Sequence, residues 1–206
     1  MSEISCGTKK HNEELDRNYW NGKWEQRETG WDIGYSSPAI EEYMLQYPDK
    51  NARILIPGCG NAYEATFLLE NGFSDITILD IAPLAVEVLQ KKFERNPEIK
   101  VICGDFFEHT KKYDLMIEQT FFCAISPLLR KDYVQKASEL LNKNGRIIGV
   151  MFNRNFAGGP PFSGSAAEYE FLFRKNFEIH TLEPCTNSIA PRQGSEVFVN
   201  FKKKRQ

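Results

Sequence analysis

A glycine turn between two apolar segments is the part of the sequence whose residue types point most directly to chemistry. The segment Arg53–Pro57 is followed by Gly58-Cys59-Gly60, and the next apolar segment ends in Asp80. A glycine at a strand end lets a ligand approach the backbone, because no Cβ stands in the way. The following helix points its N–H groups at that ligand, and an acidic residue about 20 positions further on suits the two hydroxyls of a ribose. The pattern predicts a site for a cofactor that contains a nucleoside.

The residues after the turn favour one class of nucleoside cofactor. A dinucleotide site needs a third glycine in the pattern G-x-G-x-x-G, where the helix passes close to the strand beneath a pyrophosphate. Tyr63 occupies that position and Glu64 follows it, so a pyrophosphate would meet a bulky ring and a carboxylate. S-adenosylmethionine, whose sulfonium is cationic, tolerates these side chains better. The residues alone leave two alternatives open, namely a dinucleotide and a turn that binds no ligand.

Length and charge limit the functions to be considered. The 206 residues fit one well-buried α/β domain, and 26 basic against 28 acidic side chains give no electrostatic case for nucleic acid. No apolar run approaches the ~20 residues of a membrane span, and the polar N-terminus lacks a signal-peptide core. We therefore expect a small-molecule acceptor as partner, and no nucleic acid, membrane or obligate protein partner.

The cysteines and histidines predict a reducing compartment and no metal. The five cysteines are scattered, odd in number and without a C-x-x-C pair, which is typical of reduced thiols in a cytoplasmic protein. The three histidines fit no H-E-x-x-H pattern, and no G-x-S-x-G segment indicates a hydrolase.

Seven segments predict strands, and helices fill most of the spaces between them. The strands are expected at residues 53–57, 76–80, 99–103, 113–118, 146–152, 177–183 and 195–202. Strands that alternate with helices imply parallel pairing through right-handed crossovers. The last two strands are joined only by a loop, which implies an antiparallel last strand. The predicted fold class is α/β, a Rossmann-like, doubly wound, mostly parallel seven-stranded sheet.

Local signals predict where several helices begin and end. Pro83 suits a first helical turn, and residues 126–127 are expected to begin a helix that the Asn-Gly pair at 144–145 stops. Ser165, with Glu168 three positions later, predicts a capping box at the start of another helix.

The three tryptophans, Trp20, Trp24 and Trp31, all precede the alternating segments. Large rings in such a place can close over a cofactor, exclude water and offer their faces to a sulfonium cation. They could equally form an aromatic cluster that holds the N-terminal segment to the sheet, and the two roles are compatible. We divide the chain into a flexible arm at 1–18 and a single domain at 19–206, with a lid at 19–48.

These features together resemble the class I S-adenosylmethionine-dependent methyltransferases, in which an acidic residue also follows strand three, here in Gly104-Asp105-Phe106. A narrower resemblance is to the thiopurine S-methyltransferase family, and within it to the halide/thiol methyltransferase branch. It spans roughly residues 19–202 and is carried by the tryptophan spacing together with three motifs, Ile56-Pro57-Gly58-Cys59-Gly60, Phe121-Phe122-Cys123-Ala124-Ile125 and Gly158-Gly159-Pro160-Pro161-Phe162.

The resemblance implies a class I methyltransferase fold, S-adenosylmethionine as cofactor and a set of binding residues. The implied cofactor contacts are Trp20, Trp24, Trp31, Gly58, Asp80, Asp105, Phe106 and Gln119. The candidates for the acceptor pocket are Phe162, Phe122 and Trp31, and plant members of the branch usually carry a tyrosine at the position of Phe162. Asp80 and Asp105 could instead cap the helices that follow them, and Phe122 could belong to the core.

The absence of an obvious histidine-based pair is informative about the reaction. Methyl transfer from a sulfonium to an anionic sulfur or halide is an in-line displacement that depends on alignment and exclusion of water more than on a base. We therefore expect a methyltransferase that acts on a thiol, bisulfide, a thiopurine-like compound or a halide, with no catalytic side chain. The alternatives are an oxygen acceptor, a noncatalytic S-adenosylmethionine-binding module and a dehydrogenase.

Overall fold

One sheet of seven strands forms the centre of the molecule. The computed structural model describes residues 15–205. The strand order is β3-β2-β1-β4-β5-β7-β6; β1 to β5 run parallel, and β7 is antiparallel to both of its neighbours, β5 and β6. The predicted mostly parallel sheet with an antiparallel last strand is confirmed. The strands are β1 Arg53–Pro57, β2 Asp75–Asp80, β3 Ile99–Cys103, β4 Tyr113–Gln119, β5 Leu141–Phe152, β6 Phe177–Pro184 and β7 Glu196–Lys203.

The described part of the chain contains six α-helices and three short 3₁₀ turns; α1 and α2 precede β1, and the others lie between strands. The helices are α1 Arg17–Glu25, α2 Pro38–Leu45, α3 Tyr63–Glu70, α4 Pro83–Lys92, α5 Arg130–Leu140 and α6 Ala166–Phe173, and the 3₁₀ turns are Phe106–Glu108, Pro127–Leu129 and Ala190–Arg192. Within residues 15–205, no helix is both long and apolar enough to cross a bilayer. The arm predicted at 1–18 lies mostly outside the described residues; Arg17 and Asn18 already belong to α1, which Asp16 caps.

Helices cover both faces of the sheet. Successive side chains of a strand point to opposite faces, so both sets of side chains are buried. Ile54 and Ile56 of β1 pack in one apolar cluster with α2, α3 and α4, whereas Leu55 packs in the other with α5 and α6. Strands covered on both faces read as continuous apolar runs, which is why they could be located in the sequence. The chain reverses the direction of strand addition between β1 and β4, and that reversal opens a crevice at the carboxyl ends of these strands.

Two of the three predicted helix starts hold, whereas residues 126–127 begin a 3₁₀ turn and α5 begins only at Arg130. One predicted helix end is also wrong. Pro83 is the first residue of α4. Ser165 is the residue just before α6, and its hydroxyl accepts the Glu168 N–H at 3.3 Å. The helix predicted to run to 144–145 ends at Leu140, because Leu141 already pairs with Tyr113 of β4. The Asn-Gly pair therefore lies inside β5, in an irregularity of the β4–β5 register where Asn144 has a φ of +67°.

Candidate active site

A cavity of about 700 Å³ lies in the crevice at the carboxyl ends of the parallel strands. Its volume is typical of a site for a nucleoside-sized ligand together with a small second molecule. The structure brings all eight residues of the predicted cofactor set to its walls, namely Trp20, Trp24, Trp31, Gly58, Asp80, Asp105, Phe106 and Gln119. Trp31, which is also an acceptor candidate, lies against the glycine turn, with its Nε1 3.7 Å from where a Gly60 Cβ would stand.

The turn after β1 requires backbone that side chains rarely adopt. Gly58 and Gly60 have φ values of +57° and +52°, and Ala62, the residue before α3, has a φ of +52°. A Cβ on Gly58 would lie 2.3 Å from Cδ2 of Phe121, so glycine is required there both by conformation and by space. The turn thereby keeps its backbone exposed at the floor of the cavity.

Asp80 ties the glycine turn to the start of α4. Its carboxylate accepts the Gly60 N–H and the Ala82 N–H, each at 3.0 Å. Burial raises the pKa of this carboxyl group, and the backbone hydrogen bonds act in the opposite direction. Ala82, not Asp80, is the residue that precedes the first turn of α4.

Asp105 performs the capping role that the sequence left open, and it lines the cavity as well. Its carboxylate accepts the Phe107 N–H at 2.8 Å at the start of the 3₁₀ turn. That bond fixes the direction in which the chain leaves β3 and places Phe106 at the cavity wall. The capping interpretation and the site interpretation of Asp105 are therefore compatible.

The tryptophans pack on one another at the mouth of the cavity. The rings of Trp20 and Trp24 meet Trp31 edge to face, with centroid distances of 5.6 and 6.3 Å. Of the predicted lid, α2 packs Ile40 and Met44 in the core, so the part that faces the cavity is α1 together with the segment that follows it. The three tryptophans therefore form an aromatic cluster and at the same time line the cavity.

Side chains at the start of α3 form hydrogen bonds with the segment that joins α1 to α2. The Asn61 side-chain amide and the Tyr63 hydroxyl both donate to Oδ2 of Asp32, at 2.6 and 3.2 Å, and Oε1 of Glu64 accepts the Ser37 N–H at 3.1 Å. Glu64 is buried, which raises the pKa of its carboxyl group. The sequence indicated only what these side chains would disfavour; in the structure they bind the segment between α1 and α2 through Asp32 and Ser37.

Arg192 is a cavity residue that sequence reasoning missed. It donates to the Trp31 carbonyl at 3.0 Å and to Oε1 of Glu196 at 3.3 Å, and its guanidinium lies 5.1 Å from the Phe152 ring centroid. A separate hydrogen bond joins α1 to α4: the Leu84 N–H donates to Oδ1 of Asn21 at 2.9 Å. No local motif marks Arg192 as a cavity residue, because Trp31 and Phe152, its partners at the cavity, lie in distant parts of the chain.

The side of the cavity away from β2 is largely apolar. We call this surface the apolar wall, and it consists of Ala124, Ile125, Leu129, Phe152, Phe156, Pro160 and Pro161. The polar side chains beside it are Ser126, Arg154 and Arg192. The Arg154 guanidinium lies 4.9 Å from the Phe156 ring centroid, so a cation borders the wall on each side.

Two predicted acceptor residues do not lie at the cavity. Phe122 is fully buried in the core between Tyr133 and Tyr169, because it points away from the cavity while its neighbour Phe121 lines it. Phe162 donates its N–H to the Cys123 carbonyl at 2.7 Å and turns its ring toward Gly159, which leaves Pro160 and Pro161 at the wall. Both residues support the wall from behind.

Comparison with known proteins identifies the group to which this site belongs. The family model of thiopurine S-methyltransferases matches residues 15–205. A relative from Arabidopsis thaliana, named probable thiol methyltransferase 2, is 35% identical over 89% of this chain and 84% of its own length. Thiocyanate methyltransferase 1 of Brassica oleracea is 28% identical over 93% of this chain and 87% of its own length.

A solved structure shows the same fold at low sequence identity. The 1,6-didemethyltoxoflavin-N1-methyltransferase of Burkholderia thailandensis, with bound 1,6-didemethyltoxoflavin and S-adenosylhomocysteine, superposes with a TM-score of 0.72 over 98% of this chain and 94% of its own, at 15% identity. The predicted class I methyltransferase fold is confirmed. With the family model matching nearly its whole length, the chain belongs to the thiopurine S-methyltransferase family.

Proposed function

We propose that this protein is an S-adenosylmethionine-dependent methyltransferase that methylates a small soft nucleophile, namely a thiol, bisulfide, a thiopurine-like compound or a halide. The family and the names of its relatives support an S-methyltransferase. The observation that carries the proposal is the single cavity that joins the glycine turn, Asp80 and the tryptophans to an apolar wall.

The residues around the glycine turn fit the cofactor. Gly58 and Gly60 leave backbone open to a ligand, and Asp80 presents a buried carboxylate that would accept the two ribose hydroxyls. Asp105 and Phe106 suit the adenine, and the tryptophan faces suit a cation. When bound, S-adenosylmethionine supplies a methyl group on a cationic sulfonium. The same residues hold the product S-adenosylhomocysteine, which serves as a binding probe.

The apolar wall supports an acceptor that is already ionised. Among the described residues of the wall and its border, the polar side chains are a hydroxyl and two guanidiniums, and none is a carboxylate or an imidazole. An oxygen acceptor would more often require a positioned general base. Arg154 favours a negative charge, whereas the charge of Arg192 is already paired with Glu196. The low-polarity wall strips water from an anionic acceptor, which strengthens its attraction to a sulfonium.

A turnover screen tests the proposal. The purified protein is supplied with S-adenosylmethionine and, in separate reactions, iodide, bisulfide, thiophenol and a thiopurine, and methylated products are measured by mass spectrometry. Methylation of a member of this panel supports the proposal. Binding of S-adenosylhomocysteine without methylation of any of the four acceptors would contradict it.

Within the panel, we expect a higher kcat/KM for thiophenol than for any halide, with iodide the best halide because it is the least strongly hydrated. An aromatic thiol buries carbon against the apolar wall at about 25 cal/mol per Å². Replacing Phe156 with alanine removes part of that surface and should lower kcat/KM for thiophenol about tenfold, with a smaller effect on iodide.

Phe162→Tyr is the matched control for that experiment. Because Phe162 lies behind the wall, its added hydroxyl should leave the ratio of thiophenol to iodide turnover nearly unchanged. A faster reaction with chloride than with thiophenol, or a large shift of the ratio in Phe162→Tyr, would show that the acceptor binds elsewhere.

The lid should become ordered when the cofactor site is filled. The segment Trp20–Trp31 makes few core contacts, and such segments exchange amide hydrogens rapidly unless a ligand holds them. We expect slower exchange across this segment with S-adenosylhomocysteine than without it. Arg192→Leu should reduce the difference, since it removes the hydrogen bond to the Trp31 carbonyl. Equal exchange in both states would leave the tryptophans a structural role only.

The remaining features support a cytoplasmic enzyme with a small-molecule acceptor. Cys59, Cys103, Cys123 and Cys185 are free thiols, and the formal net charge is −2. We expect no requirement for a nucleic-acid or protein partner in the turnover screen.

A further inference from the structure

The turn that follows β4 forms the part of the cavity between the cofactor residues and the apolar wall. Gln119, Thr120, Phe121, Ala124 and Ile125 all line the cavity. Thr120 has a φ of +60°, a conformation that is unusual for a β-branched residue and costs energy unless its surroundings hold it. The shape of this turn therefore depends on contacts from outside it.

Glu118, the residue before the turn, makes those contacts from beneath. One carboxylate oxygen accepts the Phe122 N–H at 2.8 Å, and the other accepts the Tyr133 hydroxyl at 2.5 Å. The residue is fully buried. Glu118 pairs with Gly149 of β5, where a Cβ would lie 1.8 Å from the Glu118 carbonyl oxygen, so the two backbones approach each other closely.

The groups around Glu118 leave its charge without a cationic partner. Tyr133 faces it from α5 and Cys123 faces it from the turn, and both are neutral at ordinary pH. Arg130, the buried cation of α5, is bound to Glu168 and to the Ser163 carbonyl at 2.6 and 2.7 Å. Burial raises the pKa of Glu118 to about 7, while the hydrogen bonds from Tyr133 and the backbone act in the opposite direction.

We propose that Glu118 is a positioning residue whose carboxylate form holds the 119–124 turn in the shape that completes the cavity. When the carboxylate takes a proton from solvent, it becomes neutral, and the hydrogen bonds that it accepts from Tyr133 and from the backbone N–H groups of Phe121 and Phe122 lose their charge assistance. The weaker bond to the Phe122 N–H loosens the turn, and Phe121 leaves its place against the glycine turn. The part of the test that measures methylation of an acceptor rests on the proposed function, whereas the part that measures S-adenosylhomocysteine binding does not.

The test measures S-adenosylhomocysteine affinity by calorimetry, and iodide methylation, from about pH 6 to about pH 8.5. Iodide does not change charge in that range, and loss of a proton from the α-amino group of the ligand toward the upper end of the range affects the wild type and the variants alike. For the wild type we expect affinity and kcat/KM to fall about tenfold as the pH decreases through about 7. Glu118→Gln resembles the protonated acid and should show the low value at every pH. Tyr133→Phe removes a donor that lowers the pKa of Glu118, so its midpoint should move to higher pH.

Two further readouts separate positioning from general stability. Because the native protein takes up the proton in preference to the unfolded chain, the melting temperature should rise as affinity falls. The exposed Glu87→Gln on α4 is the matched control and should keep the wild-type profile. Asp80 and Glu64 are also buried carboxylates at the cavity, so the shifted midpoint in Tyr133→Phe is what assigns the profile to Glu118.

A pH-independent wild type, a wild-type profile in Glu118→Gln, or an unchanged midpoint in Tyr133→Phe would each overturn the proposal. If Glu118→Gln does not fold, Tyr133→Phe decides alone. If binding follows the expected profile while no acceptor is methylated, the positioning role stands and the proposed function fails.

Discussion

Asp80→Ala should weaken S-adenosylhomocysteine binding by about 30- to 150-fold, the equivalent of about 2–3 kcal/mol for a pair of charge-assisted hydrogen bonds. The carboxylate is the buried acidic group at the end of β2, and it also orients the Gly60 N–H in the glycine turn. Its removal therefore takes away both a ligand contact and the hydrogen bond that shapes the turn. Calorimetry on the variant, with circular dichroism as a check on folding, measures the loss.

Asp75→Ala is the matched control, because Asp75 begins the same strand at the opposite edge of the sheet and pairs only with Lys100 at the surface. Its binding constant should match that of the wild type. Unchanged affinity in folded Asp80→Ala would remove Asp80 from the site.

Gly58→Ala should reduce S-adenosylhomocysteine affinity by about 100-fold through a steric effect. The added Cβ would lie 2.3 Å from Cδ2 and 2.9 Å from Cγ of Phe121, so the ring must move into the space of the ligand. Left-handed backbone costs a non-glycine residue about 1–2 kcal/mol, and overpacking costs about 1–3 kcal/mol.

Gly72→Ala separates the two contributions to that loss. Gly72 also has a positive φ, +82°, but nothing lies within 4 Å of where its Cβ would stand. This variant should lose stability without losing affinity. Adding Phe121→Ala to Gly58→Ala should restore part of the binding, and no recovery in the double variant would show that the steric explanation is wrong.

Sequence reasoning located the parts of the site that depend on backbone chemistry and chain order. Gly58 and Asp80 were predictable because a glycine at a strand end and an acid after the next strand have few other uses, and the alternation of strands and helices brings both to one edge of the sheet. For the three tryptophans, chain order left a cofactor cover and an aromatic cluster both open, and the resemblance to the family favoured the cover. None of these inferences requires knowledge of a side-chain partner.

Side-chain partners account for the parts that could not be predicted. Phe121 and Phe122 are identical in chemistry, and which ring faces the cavity depends on the shape of the turn, in which Thr120 is left-handed and the Phe122 N–H is bound to Glu118. Tyr63 and Glu64 were interpreted through the ligand they would repel, whereas their partners are in the lid. Asn144-Gly145 is typical of a helix end, but strand pairing begins before it.

The hydrogen bond between Arg192 and the Trp31 carbonyl has a consequence for biosynthesis. The two residues are 161 positions apart, and the arginine is positioned by the 3₁₀ turn that leads into the last strand. A nascent chain that still lacks Arg192 has made its tryptophans and its glycine turn, and the Asn61 and Tyr63 side chains can already bind Asp32, but the hydrogen bond to the Trp31 carbonyl cannot yet form. Cofactor therefore stabilises the finished polypeptide and gives little protection to a ribosome-bound fragment. Ligand-dependent resistance to proteolysis should appear only when the last strand has left the ribosome.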